Sequence, residues 1–141
     1  MDSQSKITSK PTWLKVQSIG SEPYLATRSI IKATGVHTVC QEAHCPNMGE
    51  CWSQHTATFM IMGDSCTRAC RFCAVKKSHD QLQLPDPTEP ERVAEASRLL
   101  RLCHVVITSV TRDDLADNGA SCFAKTVKAI KKVLPTCSVE L

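Results

Sequence analysis

The residue pattern predicts an α/β fold built on a parallel sheet, and three observations carry that reading. Thr56 to Met62 (TATFMIM) is an apolar run of strand length closed by Gly63. Val105 to Val110 (VVITSV) is β-branched throughout most of its length, the composition of a strand buried on both faces. Two stretches with apolar stripes at helical spacing follow these runs, and Cys137 to Leu141 begins a further strand. Strand, helix, strand, helix, strand in that order requires right-handed crossovers and a parallel sheet. A closed (β/α)₈ barrel takes about 250 residues. The 141 residues here are therefore expected to form a partial (β/α) TIM-like barrel, truncated after about three strands and preceded by a cysteine-rich extension. The expected division is 1–55 for the extension and 56–141 for the incomplete barrel.

Each element has its own signal. In PYLATRSIIKAT, Pro23 to Thr34, the residues Leu25, Ile30 and Ile31 fall in rough helical phase, and Gly35 suits the left-handed position that ends a helix. Next, TVCQEAHCPNMGECW contains Pro46, Asn47 and Gly49, which break regular structure and predict a folded-back loop. After the strand at 56–62, Pro85, Pro87 and Pro90 mark a connection. Thr88 and Glu91 have capping-box spacing, and Val93, Ala96, Leu99 and Leu100 make one apolar stripe, so 88–102 is expected to be helical. The polar loop TRDDLADNG leads from the second strand into a helix whose buried face is marked by Phe123, Val127, Ile130 and Leu134 and which Pro135 stops.

Composition narrows the class. The chain is 42% hydrophobic, enough for a core, with no run approaching the 18 apolar residues of a membrane span. Seventeen basic and 14 acidic residues are well mixed and give a net charge of +3, too weak and dispersed for a nucleic-acid footprint. Met1 to Lys10 is polar, with neither the apolar core of a secretory signal nor the Arg-rich character of a transit sequence. The expectation is a cytoplasmic protein without membrane or nucleic-acid partners, or a mitochondrial or plastid one whose signal has been removed. Nine cysteines, an odd number, are then poorly explained as a disulfide framework.

Six of those cysteines form two triplets: Cys40, Cys45 and Cys51 read C-x4-C-x5-C, and Cys66, Cys70 and Cys73 read C-x3-C-x2-C. Three thiolates on a 4Fe-4S cube leave one iron open to another ligand or to a substrate. An electron carrier of the ferredoxin kind wants a fourth cysteine per cluster, which neither triplet has. Zinc is the competing ligand for the first triplet, with His37, His44 or His55 completing a Cys₃His site. Cys103, Cys122 and Cys137 stand alone and are expected to be free, buried thiols. His79 and His104 have no readable partners, and Trp13 and Trp52 are expected to pack the leader against the barrel. In barrels of this kind active sites gather at the C-terminal ends of the strands, where the second triplet and the loop with Arg112, Asp113 and Asp114 both fall.

Taken together, TVCQEAHCPNMGECW, TATFMIMGDSCTRACRFCAVKK, EPERVAEA and VVITSVTRDDLADNGA resemble the lipoyl synthase family of the radical S-adenosylmethionine superfamily, from about Trp13 to Leu141. The second triplet is shared by that large superfamily; its combination with C-x4-C-x5-C is specific. The resemblance implies a barrel of the radical S-adenosylmethionine type and two 4Fe-4S clusters. Cys66, Cys70 and Cys73 would hold the cluster that binds S-adenosylmethionine and reduces it to methionine and a 5′-deoxyadenosyl radical. Cys40, Cys45 and Cys51 would hold an auxiliary cluster whose sulfides are consumed. The implied activity is a sulfurtransferase reaction, insertion of sulfur at C6 and C8 of a protein-bound octanoyl group. The implied partners are octanoylated lipoyl domains of 2-oxoacid dehydrogenases, the glycine-cleavage H protein, and an electron donor such as flavodoxin or ferredoxin. Phe72 matches an apolar position near the adenine, and Ser109, Arg112 and Asp113 are placed on the cofactor or substrate side. The family's serine ligand to the auxiliary cluster lies beyond Leu141, and Asn118 replaces a usual glycine before Gly119. The resemblance implies the activity for the family and leaves open whether a chain of this length has it alone, and the alternative reading is an iron–sulfur or zinc-binding module without catalysis.

Overall fold

The computed structural model describes residue 11, residues 19–78 and residues 82–141. The readings made for Met1 to Lys10, Trp13 and His79 lie outside the described residues.

Helix α1 spans Glu22–Thr34. Ser21 caps it by accepting the Tyr24 N–H, Pro23 fits the first turn where no amide partner is needed, and Gly35, with φ 62°, ends it by donating to the Ile31 carbonyl. The buried stripe is Tyr24, Thr27 and Ile31, with Ile30 packed beside it; of the three residues expected inside, Ile31 is buried and Ile30 half-buried, whereas Leu25 points outward at 49% exposure. The stripe is set by what α1 packs on. Tyr24 stacks against Trp52 with ring centroids 5.4 Å apart, and the Thr27 hydroxyl donates to the Trp52 carbonyl at 2.8 Å.

After Gly35 comes a short strand β1, His37–Thr38, then α2, Val39–Glu42, and α3, Met48–Ser53. The first cysteine segment is thus two short helices around a turn, where a loop was expected. Thr38 starts α2 by accepting the Gln41 N–H, and Pro46 and Asn47 separate the helices. Strand β2, Thr58–Ile61, follows. A small pair of parallel strands, β3 (Ser65–Cys66) and β4 (Lys76–Lys77), clamps the two ends of the second cysteine loop.

Helix α4, Glu89–Leu99, begins one residue after Thr88, but the capping box does not form. Thr88 is itself in the helical region, and its hydroxyl donates to Asp86 Oδ1 at 2.7 Å, as does its N–H at 2.8 Å. Val93, Ala96 and Leu100 are buried as expected, whereas Leu99 is exposed because it falls on the outer edge of the stripe. Strand β5 is His104–Ser109, α5 is Ala120–Val133, and β6 is Ser138–Glu140. Ile130 is fully buried in α5, and Phe123, Val127 and Leu134 pack against the core beside it.

The main sheet has the order β1-β2-β5-β6. Strands β2, β5 and β6 are parallel, with Thr58 opposite Val106 and Val105 opposite Val139, and β1 pairs antiparallel with β2. Strands are added in one direction, and α4 and α5 pack side by side, as successive crossovers of one hand require. Phe59, Met60 and Ile61 alternate across β2 and are all buried, so this strand is covered on both faces. No helix of the described residues is long and apolar enough to cross a membrane.

Candidate functional site

The parallel strands β2 and β5 end side by side, with Ile61 opposite Ser109, and the chemistry-bearing loops leave from there. Beyond β2 the chain turns through Met62 and Gly63, both with positive φ, and enters β3 at Ser65. Glu89, buried at the start of α4, holds this turn by accepting the Met62 N–H at 2.7 Å and the Gly63 N–H at 3.3 Å.

Cys66 sits in β3, and its sulfur accepts two amide hydrogens, from Arg68 at 3.4 Å and from Thr111 at 3.3 Å. Burial pushes the Cys66 thiol up, but the two N–H donors outweigh it and leave the thiol more acidic than an ordinary cysteine. Cys70 and Cys73 lie on the same loop, with the Cys73 N–H donating to the Cys70 carbonyl, and Cys70 is exposed. The loop is tied to the one after β5. Arg68 forms a two-pronged ion pair with Asp113, at 2.9 Å from Nε and 2.7 Å from Nη2. The Thr67 hydroxyl lies 2.9 Å from Asp113 Oδ2 and 3.0 Å from the Thr111 carbonyl, sharing its proton between them, and it accepts the Asp113 N–H at 3.3 Å. Hydrogen bonds from Arg68 hold the Asp113 carboxyl below its ordinary value.

The residues expected on the cofactor or substrate side have partners within the protein near the strand ends. Asp113 is committed to Arg68 and Thr67. Arg112 is 2% exposed, paired with Asp114 at 2.7 and 2.8 Å, and donates to the Gln83 carbonyl at 3.0 Å. Arg112 nonetheless lines a cleft of about 460 Å³ at the end of β2, together with Asp64, Lys76, Asp86, Glu89 and Arg92. Phe72, expected against an adenine, is 94% exposed on the cysteine loop. Ser109 ends β5, half-buried.

The first triplet is arranged differently. Cys40 is buried in α2, Cys45 lies in the turn after it with its N–H on the Cys40 carbonyl, and Cys51 lies in α3. Burial raises the Cys51 thiol, and the nearby Cys40 and Cys45 raise it further, so the three thiols share one neighbourhood. The histidines considered as a fourth zinc ligand have other partners: His37 Nδ1 faces Glu42 at 3.5 Å, His44 Nδ1 the Glu42 carbonyl at 3.3 Å, and His55 Nδ1 the Thr27 hydroxyl at 3.2 Å. Among the described residues no three His, Cys, Asp or Glu side chains are set around a single ion. Each triplet nonetheless offers three free thiols on one short segment, a donor set of the kind an iron–sulfur cube takes.

Of the remaining cysteines, Cys137 is buried, Cys122 half-buried and Cys103 exposed; the last departs from expectation because it precedes β5 at the end of the sheet. All nine are free. Trp52 packs α3 on α1, and His104 Nε2 faces Glu140 at 3.2 Å. What the sequence reading missed was the stitching: Thr67, Arg68 and the Thr111 amide around Cys66, and Glu89 under the β2 turn. Arg68 and Asp113 are 45 residues apart, and no local pattern pairs them.

No family model matches the chain. It is 55% identical over 131 residues to a lipoyl synthase of Pyrobaculum calidifontis, covering 93% of this chain and 45% of that protein. It is 58% identical over 132 residues to a lipoyl synthase of Caldanaerobacter subterraneus, covering 94% and 45%. A third, from Desulfotalea psychrophila, is 55% identical over 132 residues, covering 94% and 44%. The chain thus spans a little under half the length of the curated relatives it matches.

Proposed function

We propose that this chain, which belongs to the lipoyl synthase family over the stretch it spans, carries the cluster-binding part of an enzyme that inserts sulfur at C6 and C8 of a protein-bound octanoyl group. The observation that carries the reading is the placement of the Cys66 loop. It leaves the C-terminal end of one parallel strand and is bonded through Cys66 Sγ to the amide that follows the next strand. We assign Cys66, Cys70 and Cys73 to the 4Fe-4S cluster that meets S-adenosylmethionine, and Cys40, Cys45 and Cys51 to an auxiliary 4Fe-4S cluster. When bound, these groups supply the electron, the radical and the sulfur that no side chain can provide.

The residues themselves position and exclude. The β3–β4 clamp fixes the ends of the Cys66 loop, and the Cys66 thiol, already acidified by two amides, is ready to ligate as thiolate. The cleft with Asp64, Lys76 and Arg112 offers both signs of charge beside that loop, and we assign the polar end of the cofactor or substrate to it. Sheet order and crossovers in one direction support a barrel of the radical S-adenosylmethionine type, with 56–141 as its opening part and 1–55 as the extension that bears the auxiliary ligands. Octanoylated lipoyl domains and the glycine-cleavage H protein are the substrates we assign, and flavodoxin or ferredoxin the electron donor. Nine free thiols suit a reducing compartment such as the cytoplasm.

Anaerobic reconstitution followed by iron, sulfide and zinc analysis tests this. About eight iron and eight labile sulfides per chain are expected, and about four would mean that one triplet alone holds its cube in this chain. Stoichiometric zinc without labile sulfide would replace the enzyme reading with a metal-stapled module.

A further inference from the structure

We propose that the Arg68–Asp113 ion pair is a positioning device: it holds the Thr111 amide against Cys66 Sγ and thereby raises the reduction potential of the cluster on the Cys66 loop. The inference rests on the reading above, that Cys66, Cys70 and Cys73 hold a 4Fe-4S cluster.

The geometry is that of a brace. The N–H···S bond joins Thr111 to Cys66, and the ion pair joins residues two positions further along each loop, Asp113 and Arg68. Thr67 fills the space between, with its N–H on the Thr111 carbonyl at 3.1 Å and its hydroxyl shared between that carbonyl and Asp113. Among the described residues, Cys70 and Cys73 accept no amide hydrogen at sulfur, so Cys66 is the thiolate through which the protein can tune such a cluster. An amide aimed at a ligating sulfur draws off negative charge and favours the more reduced, more negative state, and hydrogen bonds to the sulfurs are among the levers that set cluster potentials. The ion pair is exposed, so it contributes little to global stability. Its loss leaves, among the described residues, only the Thr67 bonds between the two loops, which loosens the Thr111 amide against Cys66 Sγ while the sheet beneath stays folded.

The test is an EPR-monitored redox titration of the anaerobically reconstituted chain and of Asp113→Ala and Arg68→Ala. The Cys66→Ala/Cys70→Ala/Cys73→Ala variant identifies, by its loss, the signal that belongs to this loop. A brace predicts that both single variants shift the midpoint in the same direction, to lower potential, with circular dichroism unchanged. If the two charges acted on the cluster only through their own fields, removing the acid would raise the midpoint and removing the base would lower it. Opposite shifts, or no shift in either variant, overturn the proposal. Absence of any signal at this loop in the unaltered chain sinks the cluster assignment itself, a result that the variants cannot mimic.

Discussion

The carboxylate of Glu89 in α4 accepts the amide hydrogen of Met62 just past β2 at 2.7 Å, across 27 residues, inside the protein. This one acceptor ties the first crossover helix to the strand end from which the Cys66 loop departs. Glu89→Ala would leave the Met62 and Gly63 amides without a partner, and a buried unsatisfied group costs about 1–3 kcal/mol. Urea unfolding should therefore show a clearly lowered midpoint for Glu89→Ala. Glu89→Gln keeps an acceptor oxygen and should retain more of the stability. Equal loss in both variants would mean that charge, and not acceptance, is what matters there.

Trp52, 1% exposed, is the anchor between α3 and α1. Its Nε1–H has no partner among the described residues, so the indole acts by volume and stacking alone. Trp52→Ala should cost about 3–5 kcal/mol, and Trp52→Phe less than about 1.5 kcal/mol, since it keeps the ring against Tyr24 and removes an unpaired donor. Because Cys51 precedes Trp52 in α3, iron at the auxiliary cluster proposed for the first triplet should be lost in the alanine variant and retained in the phenylalanine one. Chemical denaturation and iron analysis of the same samples check both halves.

Much of the sheet was legible because period and composition are local. The β-branched run at 105–110 and the apolar run at 56–62 became β5 and β2, paired in parallel; β2 is buried on both faces, whereas β5 alternates buried Val105 and Ile107 with half-buried Val106 and Thr108. The face of α1 was harder. Its stripe is chosen by Trp52, 28 residues beyond Tyr24, so Tyr24 and Thr27 went inside where Leu25 had been expected. The capping box at Thr88 failed because Thr88 itself takes helical φ/ψ and its hydroxyl turns to donate to Asp86, two residues upstream. Around the candidate site the cysteine spacing was readable, but the commitments of Arg112 to Asp114 and of Asp113 to Arg68 were not. Charges in a polar loop have many possible partners, and only the fold decides among them.

Gly119 takes φ +90°, and a Cβ there would overlap the Met62 side chain. Asn118, immediately before it, also has positive φ, at 51°, which asparagine tolerates better than most residues. Gly119→Ala should thus be destabilising by about 1–3 kcal/mol, from backbone strain and displacement of Met62. Asn118→Gly should be neutral or slightly stabilising. Thermal melts of the two variants beside the parent give the ranking, and a Gly119→Ala melt indistinguishable from the parent would show that the turn before α5 can relax.

Asp117 supplies the pH dependence. Its carboxylate accepts the Ser121 N–H at 2.8 Å and the Gly119 N–H at 2.9 Å, and these bonds, that of Ser121 foremost, lower its pKa from 3.8 to about 2. A folded-state value below the unfolded one means that the ionised form stabilises the fold. Its contribution is complete above the unfolded pKa, declines as pH falls from 3.8, and is gone below about 2. Asp117→Asn removes the ionisation while keeping one acceptor. Between pH 6 and pH 2 the parent's melting temperature should therefore fall more steeply than the variant's, and the gap between them should narrow in the acid range. Other lowered carboxyls, Asp64, Asp86, Asp113 and Asp114 among them, titrate in both proteins and cancel in the comparison. Parallel curves across that range would show that the Asp117 carboxylate does not hold the start of α5 in solution.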